Sequence, residues 1–400
     1  MDPKTTISLP KGFRFAGNAC GIKASGAKDI SLVLSDLPAA GAGVYTQNQV
    51  VAAPVINCQS KTPSSNIRVV VTNSGNANAC TGSQGVIDAE NMCQIAAESC
   101  EVDADQTLVM STGIIGHTLP MTQVEAGIRT CGNALGNSES HFLDSADGIL
   151  TTDKARKIAN RTLIFSDRRI QLVGMAKGAG MIGPNMATML CTCLTDARLS
   201  AEQADRLLRQ SANLSFNQVS VEGHTSTNDT MLLLANGSAG GEELTPEQET
   251  QFSTALTELA IELAKKIPMD GEGASHLIEI AITGAASDTE AETIARTVAS
   301  SNLVKTAIYG NDPNWGRIVS AAGYAGPTLE NSRLKLVLNE FTLFDAGEPI
   351  EFDEKAASAS LQESETAKIE ITVGSGPGTC THWTSDLTVE YVRFNSEYST

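Results

Sequence analysis

A threonine that follows a small residue at the end of a glycine-rich turn can cut the chain that carries it. Such a pair stands at Ala187-Thr188, inside KGAGMIGPNMATML, Lys177 to Leu190. In that chemistry the threonine Oγ attacks the carbonyl of residue 187, and the resulting ester hydrolyses. Thr188 is left with a free α-amino group beside its own hydroxyl. The amine, with an ordinary pKa of about 7.7–8.0, then serves as general base for the hydroxyl. Spacing alone leaves a second reading open, in which a glycine-rich turn enters a buried segment and Thr188 is a core hydroxyl. A third is also open. Gly178-Ala-Gly180-Met-Ile-Gly183 spells G-x-G-x-x-G after an apolar run, Ile170 to Met175, and Asp196 lies 18 residues past Gly178. That is the pattern of a dinucleotide-binding loop and would make the chain a nucleotide-binding oxidoreductase, left uncut.

The segment around Ala187-Thr188 resembles the self-cleavage and active-site region of the ornithine acetyltransferase family, the enzymes of the cyclic arginine pathway. Other blocks resemble the same family in the same order. They are GFRFAGNACGIKASGAKDISLVLSD (Gly12 to Asp36), YTQNQVVAAPV (Tyr45 to Val55), NSGNANACTG (Asn73 to Gly82), STGIIG (Ser111 to Gly116) and TTDK (Thr151 to Lys154). STNDT (Ser226 to Thr230), DGEGA (Asp270 to Ala274), GNDPNWGRI (Gly310 to Ile318) and the terminal YVRFNSEYST follow. Blocks spread from residue 12 to residue 400 favour the self-cutting threonine over the dinucleotide loop.

The resemblance implies an α/β fold, a layered αββα mixed-sheet architecture. It implies pieces 1–187 and 188–400 that fold together and stay together, the second opening on a central strand from Thr188 through MLCTCL. The implied reaction moves an acetyl group from N2-acetylornithine to glutamate by a ping-pong route, with Thr188 as nucleophile and Thr112 and Gly113 as oxyanion donors. Lys177 is implied to hold the α-carboxylate and Glu272 to contact substrate, where its carboxylate would suit the ornithine ammonium. Asn395 and Thr400 are implied as further contacts. One threonine of TTD touches substrate; Thr151 is favoured over Thr152. No metal and no cofactor are expected. Acetyl-CoA enters only as co-substrate of a bifunctional form that also makes N-acetylglutamate. A cytoplasmic heterotetramer of two alpha and two beta chains is implied. A more distant alternative is an N-terminal-nucleophile amidase of similar fold.

Composition narrows the field independently. A net charge of −18 and the lack of any basic cluster argue against a nucleic-acid partner. At 41% hydrophobic and 18% charged, the 400 residues suit a globular core of one large domain or two. The opening MDPKTTISLP has no apolar stretch of signal-peptide length, and no apolar run reaches membrane-span length. Nine cysteines, an odd number without scaffold spacing, are expected to be reduced, and five scattered histidines offer no metal cluster.

The elements that must position these residues alternate between short apolar strands and amphipathic helices. Strands are expected at Ile67 to Thr72, Thr107 to Met110, Leu277 to Thr283, Leu334 to Leu338, Ile369 to Val373 and Leu387 to Val392. A helix is expected over Val86 to Cys100. Ser200-x-x-Gln203 and Thr245-Pro246-x-Gln248 read as capping boxes opening two more. STGIIG by itself also reads as a strand-ending turn. His224, Ser226 and Asp229 suggest a serine triad, but members so close in sequence rarely converge in that geometry, and a structural turn near the site is expected. Asp312 and Arg317 read equally as part of a phosphate or active-site loop and as an ion pair pinning Trp315.

Overall fold

The segment ISLVLSDLPAAGAGVY is apolar on both faces, so a strand here must be covered from both sides. The computed structural model describes residues 7–183 and 189–397. After β1 (Phe13–Asn18), that segment forms the 16-residue β2 (Ile30–Tyr45), exposed only at its middle, 36–38. There the register with its neighbour shifts, between Leu34 and Ala39. The two halves of β2 therefore serve different partners. Ile30–Ser35 pairs with β1, and Ala40–Tyr45 pairs with a strand almost two hundred residues later.

Helix α1 (Ala53–Gln59), β3 (Ser64–Asn76), α2 (Gly82–Cys100), β4 (Thr107–Ile114), α3 (Met121–Asn133) and α4 (Glu139–Gly148) follow. Next come β5 (Lys157–Ile164), β6 (Arg169–Lys177), β7 (Leu190–Thr195), α5 (Ala201–Asn213), β8 (Thr230–Ala235) and α6 (Pro246–Met269). The sheet runs β4-β3-β2-β8-β7-β6-β5, with β1 beside the first half of β2. Alternation along β6–β8 divides the core. Val173, Leu194 and Leu234 join Leu32, Val70 and Leu108 of β2–β4, a cluster that Met92, Val124 and Phe142 of α2–α4 complete. Leu172, Cys193 and Leu233 point the other way, onto Leu207 and Leu208 of α5 and Leu256 and Leu259 of α6. The order helix, strands, strands, helix is the expected αββα layering.

Both capping boxes form. Ser200 Oγ accepts the Gln203 N–H at 3.2 Å, Thr245 Oγ1 accepts that of Gln248 at 3.3 Å, and each glutamine side chain returns a bond to its cap N–H. Such a cap stabilises a helix by about 1 kcal/mol. The buried stripe of α6 is Phe252, Leu256, Leu259 and Leu263, and truncating one of these leucines costs about 2–5 kcal/mol.

A second sheet has its own core. It is built from β9 (Leu277–Ala285), α7 (Asp288–Ser300), α8 (Asn302–Tyr309), α9 (Trp315–Gly323), β10 (Lys335–Leu338), β11 (Phe341–Asp345) and β12 (Glu348–Pro349). Helix α10 (Glu354–Gln362), β13 (Thr366–Thr372), β14 (Gly378–Ser385) and α11 (Val389–Glu397) complete it. Its order is β12-β11-β10-β13-β9-β14, and Ile280, Ile294, Ile318, Leu336 and Ile369 fill one cluster. Leu277 and Trp383 belong instead to the cluster under α6, which joins the two sheets. The expected strand at Leu387 to Val392 is a helix. Thr388 Oγ1 accepts the Tyr391 N–H at 2.9 Å and donates to Gly273 O at 2.8 Å, so the cap starts α11 where alternation suggested a strand. The STG of STGIIG continues β4 and is not a turn.

β7 is buried along its whole length between β6, antiparallel, and β8, parallel. A backbone cut between residues 183 and 189 thus leaves β6 and β7 in separate pieces but laddered together. Such pieces are expected to elute as one species in native size exclusion and to part only in denaturant. Separation in dilute buffer would contradict this.

Candidate active site

Lys177 is the last residue of β6, and its register partner is Leu190, the first of β7. The lysine is thereby set beside the start of the strand that follows Ala187-Thr188. Ala187, Thr188 and Thr400 themselves lie outside the described residues. The other residues that the resemblance assigns to the site line one cavity of about 260 Å³: Thr112, Gly113, Thr151, Thr152, Lys177, Glu272 and Asn395. They come from the end of β4, the turn after α4, the end of β6, the turn after α6, and α11. Ser226, Thr227 and Asn228 close the wall ahead of β8, and Glu222 and Tyr391 line it as well.

Gly113 has φ +132°, and a Cβ there would come within 2.3 Å of the Gly75 backbone carbon on the neighbouring β3. Only glycine suits this position. Thr112 beside it is buried.

The polar groups divide into two ends. At one, the buried Lys177 Nζ lies 3.4 Å from Thr151 Oγ1. At the other, Thr152 Oγ1 donates to Glu272 Oε1 at 2.8 Å. The TTD pair thus serves both ends. Gly180 makes room for the acid, since a Cβ there would lie 2.5 Å from the Glu272 carboxyl carbon. Glu272 N–H donates to Ala179 O, which pins the DGEGA turn to the KGAG loop. Burial pulls the Lys177 pKa down, opposed by the charges of Asp153 and Asp229.

Behind these residues lies a buried ionic cluster. Lys157 Nζ sits 2.6 Å from both Asp153 Oδ1 and Asp270 Oδ2. Asp153 also accepts the N–H groups of Gly178 at 2.7 Å and Thr151 at 3.0 Å, while Asp270 accepts that of Lys154. One cluster therefore fixes the TTDK turn, the exit of β6 and the turn bearing Glu272. Burial would raise the Asp153 pKa, but the charges of Lys157 and Lys177 and the Gly178 N–H outweigh it and hold it at about 2.

The dinucleotide reading fails on geometry. The G-x-G-x-x-G follows β6, and the next element among the described residues is strand β7, where a pyrophosphate site needs a helix N-terminus. Gly183 instead packs against the Gly223 backbone, and Asp196 accepts the N–H groups of Gln171 and Lys11. His224 and Ser226 both reach the cavity wall. Asp229 is buried and accepts the Met189 N–H at 3.0 Å. The ion-pair reading of Asp312 and Arg317 does not hold. Among the described residues they form no ion pair; Arg317 Nη1 donates to Leu303 O, Asn314 caps α9, and Trp315 stacks on Phe344. Their loop lines a separate cavity of about 720 Å³. The sequence reading missed the Lys157–Asp270 pairing, Glu222 and Tyr391. Tyr391 opens the YVRFNSEYST block and Asn228 stands inside STNDT; Asn228 Nδ2 donates to Ala77 O and Ser111 O, holding that block against β4. Among the described residues no cluster of three or more metal-ligating side chains occurs, and no helix is long and apolar enough to cross a membrane.

A model of the ArgJ family matches residues 14–400. The chain is 50% identical to the arginine biosynthesis bifunctional protein ArgJ of Rhodopirellula baltica, over 100% of this chain and 98% of that one. It is 44% identical to the protein of the same name from Symbiobacterium thermophilum, over 98% of each. Among solved structures, a chain of the arginine biosynthesis bifunctional protein from Bacillus halodurans aligns at TM-score 0.50 and 41% identity, covering 52% of this chain and 97% of its own length.

The ionic cluster yields a stability test. Asp153→Asn leaves the Lys157 ammonium with one carboxylate and should cost about 3 kcal/mol at pH 7, the low end for a broken buried pair. The folded carboxyl titrates at about 2, below its ordinary 3.8. Its contribution is therefore complete above the unfolded value and lost as pH falls through 2. Urea unfolding of both proteins should show a gap that narrows between pH 5 and pH 2.5. A gap that is constant over that range would place the cost elsewhere.

Proposed function

The chain belongs to the ArgJ family, and on that premise we propose that it transfers the acetyl group of N2-acetylornithine to glutamate after cutting itself at Ala187-Thr188. The observation that carries the reading is the single cavity that brings the buried Lys177 and the Glu272 carboxyl, each with a threonine of TTD, together with Thr112 and Gly113 at the end of β4. N2-acetylornithine has an α-carboxylate for Lys177 and Thr151 and a side-chain ammonium for Glu272 and Thr152. Its acetyl carbonyl then faces Thr112 and Gly113.

The freed α-amine of Thr188 takes the hydroxyl proton as Oγ bonds to the acetyl carbon. The oxyanion is held by the Thr112 hydroxyl and the Gly113 N–H, donors worth about 2.7–4 kcal/mol each in a transition state. Ornithine leaves with that proton on its α-nitrogen. The α-amine of glutamate then attacks the acetyl ester, and Oγ departs with the proton the new amide gives up. Neither metal nor cofactor enters. A cut product as first partner of this scheme has support in size, since the Bacillus halodurans chain matches with almost all of its length only about half of this one. By resemblance the mature enzyme is cytoplasmic and contains two of each piece, with Asn395 and Thr400 as further substrate contacts.

A second reading has its own support: the Rhodopirellula and Symbiobacterium relatives are both named bifunctional. In that form acetyl-CoA also serves as donor to glutamate. Turnover with acetyl-CoA in place of N2-acetylornithine separates the two readings.

On a denaturing gel the active protein should run as two bands of comparable size, one beginning at Thr188. Thr188→Ala should remain uncut and inactive. Fully active protein in a single full-length band would overturn the self-cutting reading.

Glu272→Gln should raise the KM for N2-acetylornithine more than that for glutamate, because only the former has an ammonium. Lys177→Ala should weaken both. A charge-assisted bond of about 1.5–3 kcal/mol corresponds to a tenfold or larger change in relative KM. Equal losses for both substrates in Glu272→Gln would assign that residue to the shared backbone.

A further inference from the structure

One pocket has to take two side chains of opposite charge. If Lys177 and Thr151 hold the α-carboxylate of each substrate, the side chain of glutamate runs the same way as that of N2-acetylornithine. Its carboxylate then approaches the Glu272 carboxylate, and like charges repel. A fixed cation in that place would repel the ornithine ammonium instead. A hydroxyl serves both, because it donates to a carboxylate and accepts from an ammonium.

Tyr391 puts a phenol on the cavity wall. Its place is tied to that of Glu272 through the next residue. Gly273 has φ +73°, and a Cβ there would lie 2.5 Å from the Tyr391 nitrogen, so the DGEGA turn packs directly on the first turn of α11. Thr388 Oγ1 joins the same two segments, donating to Gly273 O at 2.8 Å and accepting the Tyr391 N–H at 2.9 Å. One turn further on, Asn395 Nδ2 donates to Tyr391 O at 3.1 Å. Burial, with the charges of Glu222 and Glu272 behind it, pushes the phenol pKa up to about 12, so the O–H keeps its proton near neutral pH.

The hydroxyl is also unspent. Among the described residues Tyr391 makes its hydrogen bonds through its backbone. Other donors on the wall are committed: Thr152 to Glu272, Thr227 to Asn228, and the Asn228 amide to Ala77 O and Ser111 O. His224 is exposed to solvent.

We propose that Tyr391 sets specificity for the acetyl acceptor, its hydroxyl donating to the side-chain carboxylate of glutamate in the second half-reaction. In the first half-reaction the same oxygen, turned about its C–O bond, accepts from the ornithine ammonium. The two substrates do not depend on it equally. Without the hydroxyl the ammonium still has Glu272, whereas the carboxylate is left with a neighbour that repels it. The assignment rests on the reading of this cavity as the acetyl-transfer site and deepens it.

The test is steady-state kinetics with each substrate varied in turn. In a ping-pong route kcat/KM for each substrate reports its own half-reaction. Tyr391→Phe removes the hydroxyl and keeps the ring. It should lower kcat/KM for glutamate about tenfold or more, the value of a hydrogen bond to a charged group. The same quantity for N2-acetylornithine should fall by less than about threefold, and the Tm should stay within a few degrees of the parent. A merely structural role would move both substrates together. His224→Gln, which alters the exposed donor on the same wall, should leave both values within about threefold. Equal losses for both substrates in Tyr391→Phe, no loss for glutamate, or a glutamate loss in His224→Gln alone would overturn the assignment while leaving the transfer reading intact. A parent protein that moves no acetyl between the two substrates would overturn that reading and the assignment with it.

Discussion

The cavity depends on one ammonium taken out of water. Lys157 lies between Asp153 and Asp270, and the three ions hold together the turn after α4, the exit of β6 and the turn after α6. Desolvating such a charge costs several kcal/mol, and the Coulombic return comes only when the geometry is complete. The cluster is therefore a weak source of net stability but a strong source of position. If the turn after α4, the exit of β6 or the turn after α6 shifts, a buried charge loses a partner. Thr151, Lys177 and Glu272 keep their spacing because each sits within two residues of a member of that cluster or of the Gly178 N–H it grips.

The division of charge inside the cavity is local. With a net charge of −18, the protein as a whole repels glutamate. At physiological ionic strength, charges farther than about 8 Å are largely screened, so surface carboxylates matter little to a bound substrate. In the proposed function a substrate meets both Lys177 and Glu272, which line the same cavity. The two-threonine TTD turn gives each charge its own hydroxyl.

Much of this was legible before any coordinates. Capping boxes at Ser200 and Thr245 announced α5 and α6, because the same side-chain bonds that start a helix are spelled in its first four residues. The alternation of LCTCLT announced β7. The site residues were legible only as family blocks, since nothing in local pattern says that residues 112, 151, 177, 272 and 395 share a cavity. Helix α11 was misread because Leu387 to Tyr391, LTVEY, alternates, and the Thr388 cap that decides the matter needs Gly273 beside it. The second sheet went unseen as a separate core because no linker marks its edge; α6 passes into β9 through seven residues that begin with the DGEGA block itself. Asp270 gave no sign of its partner at Lys157, more than a hundred residues earlier, for the same reason: long-range ion pairs leave no periodicity.

The start of β7 shows why a strand, and not a loop, suits a reacting residue. Met189 is held at its N–H by Asp229 and at its carbonyl by Thr230, and Leu190 is opposite both Lys177 and Thr230. Catalytic placement has to hold within about half an ångström, which rigid elements meet more readily than loops. A flexible approach is still needed on the other side, and KGAGMIG supplies it with three glycines whose neighbours, Glu272 and the Gly223 backbone, leave no room for a side chain at two of them. The same stretch that mimics a nucleotide loop thus has a packing reason for its glycines, and the Asp229 carboxyl anchors the start of the strand that follows it.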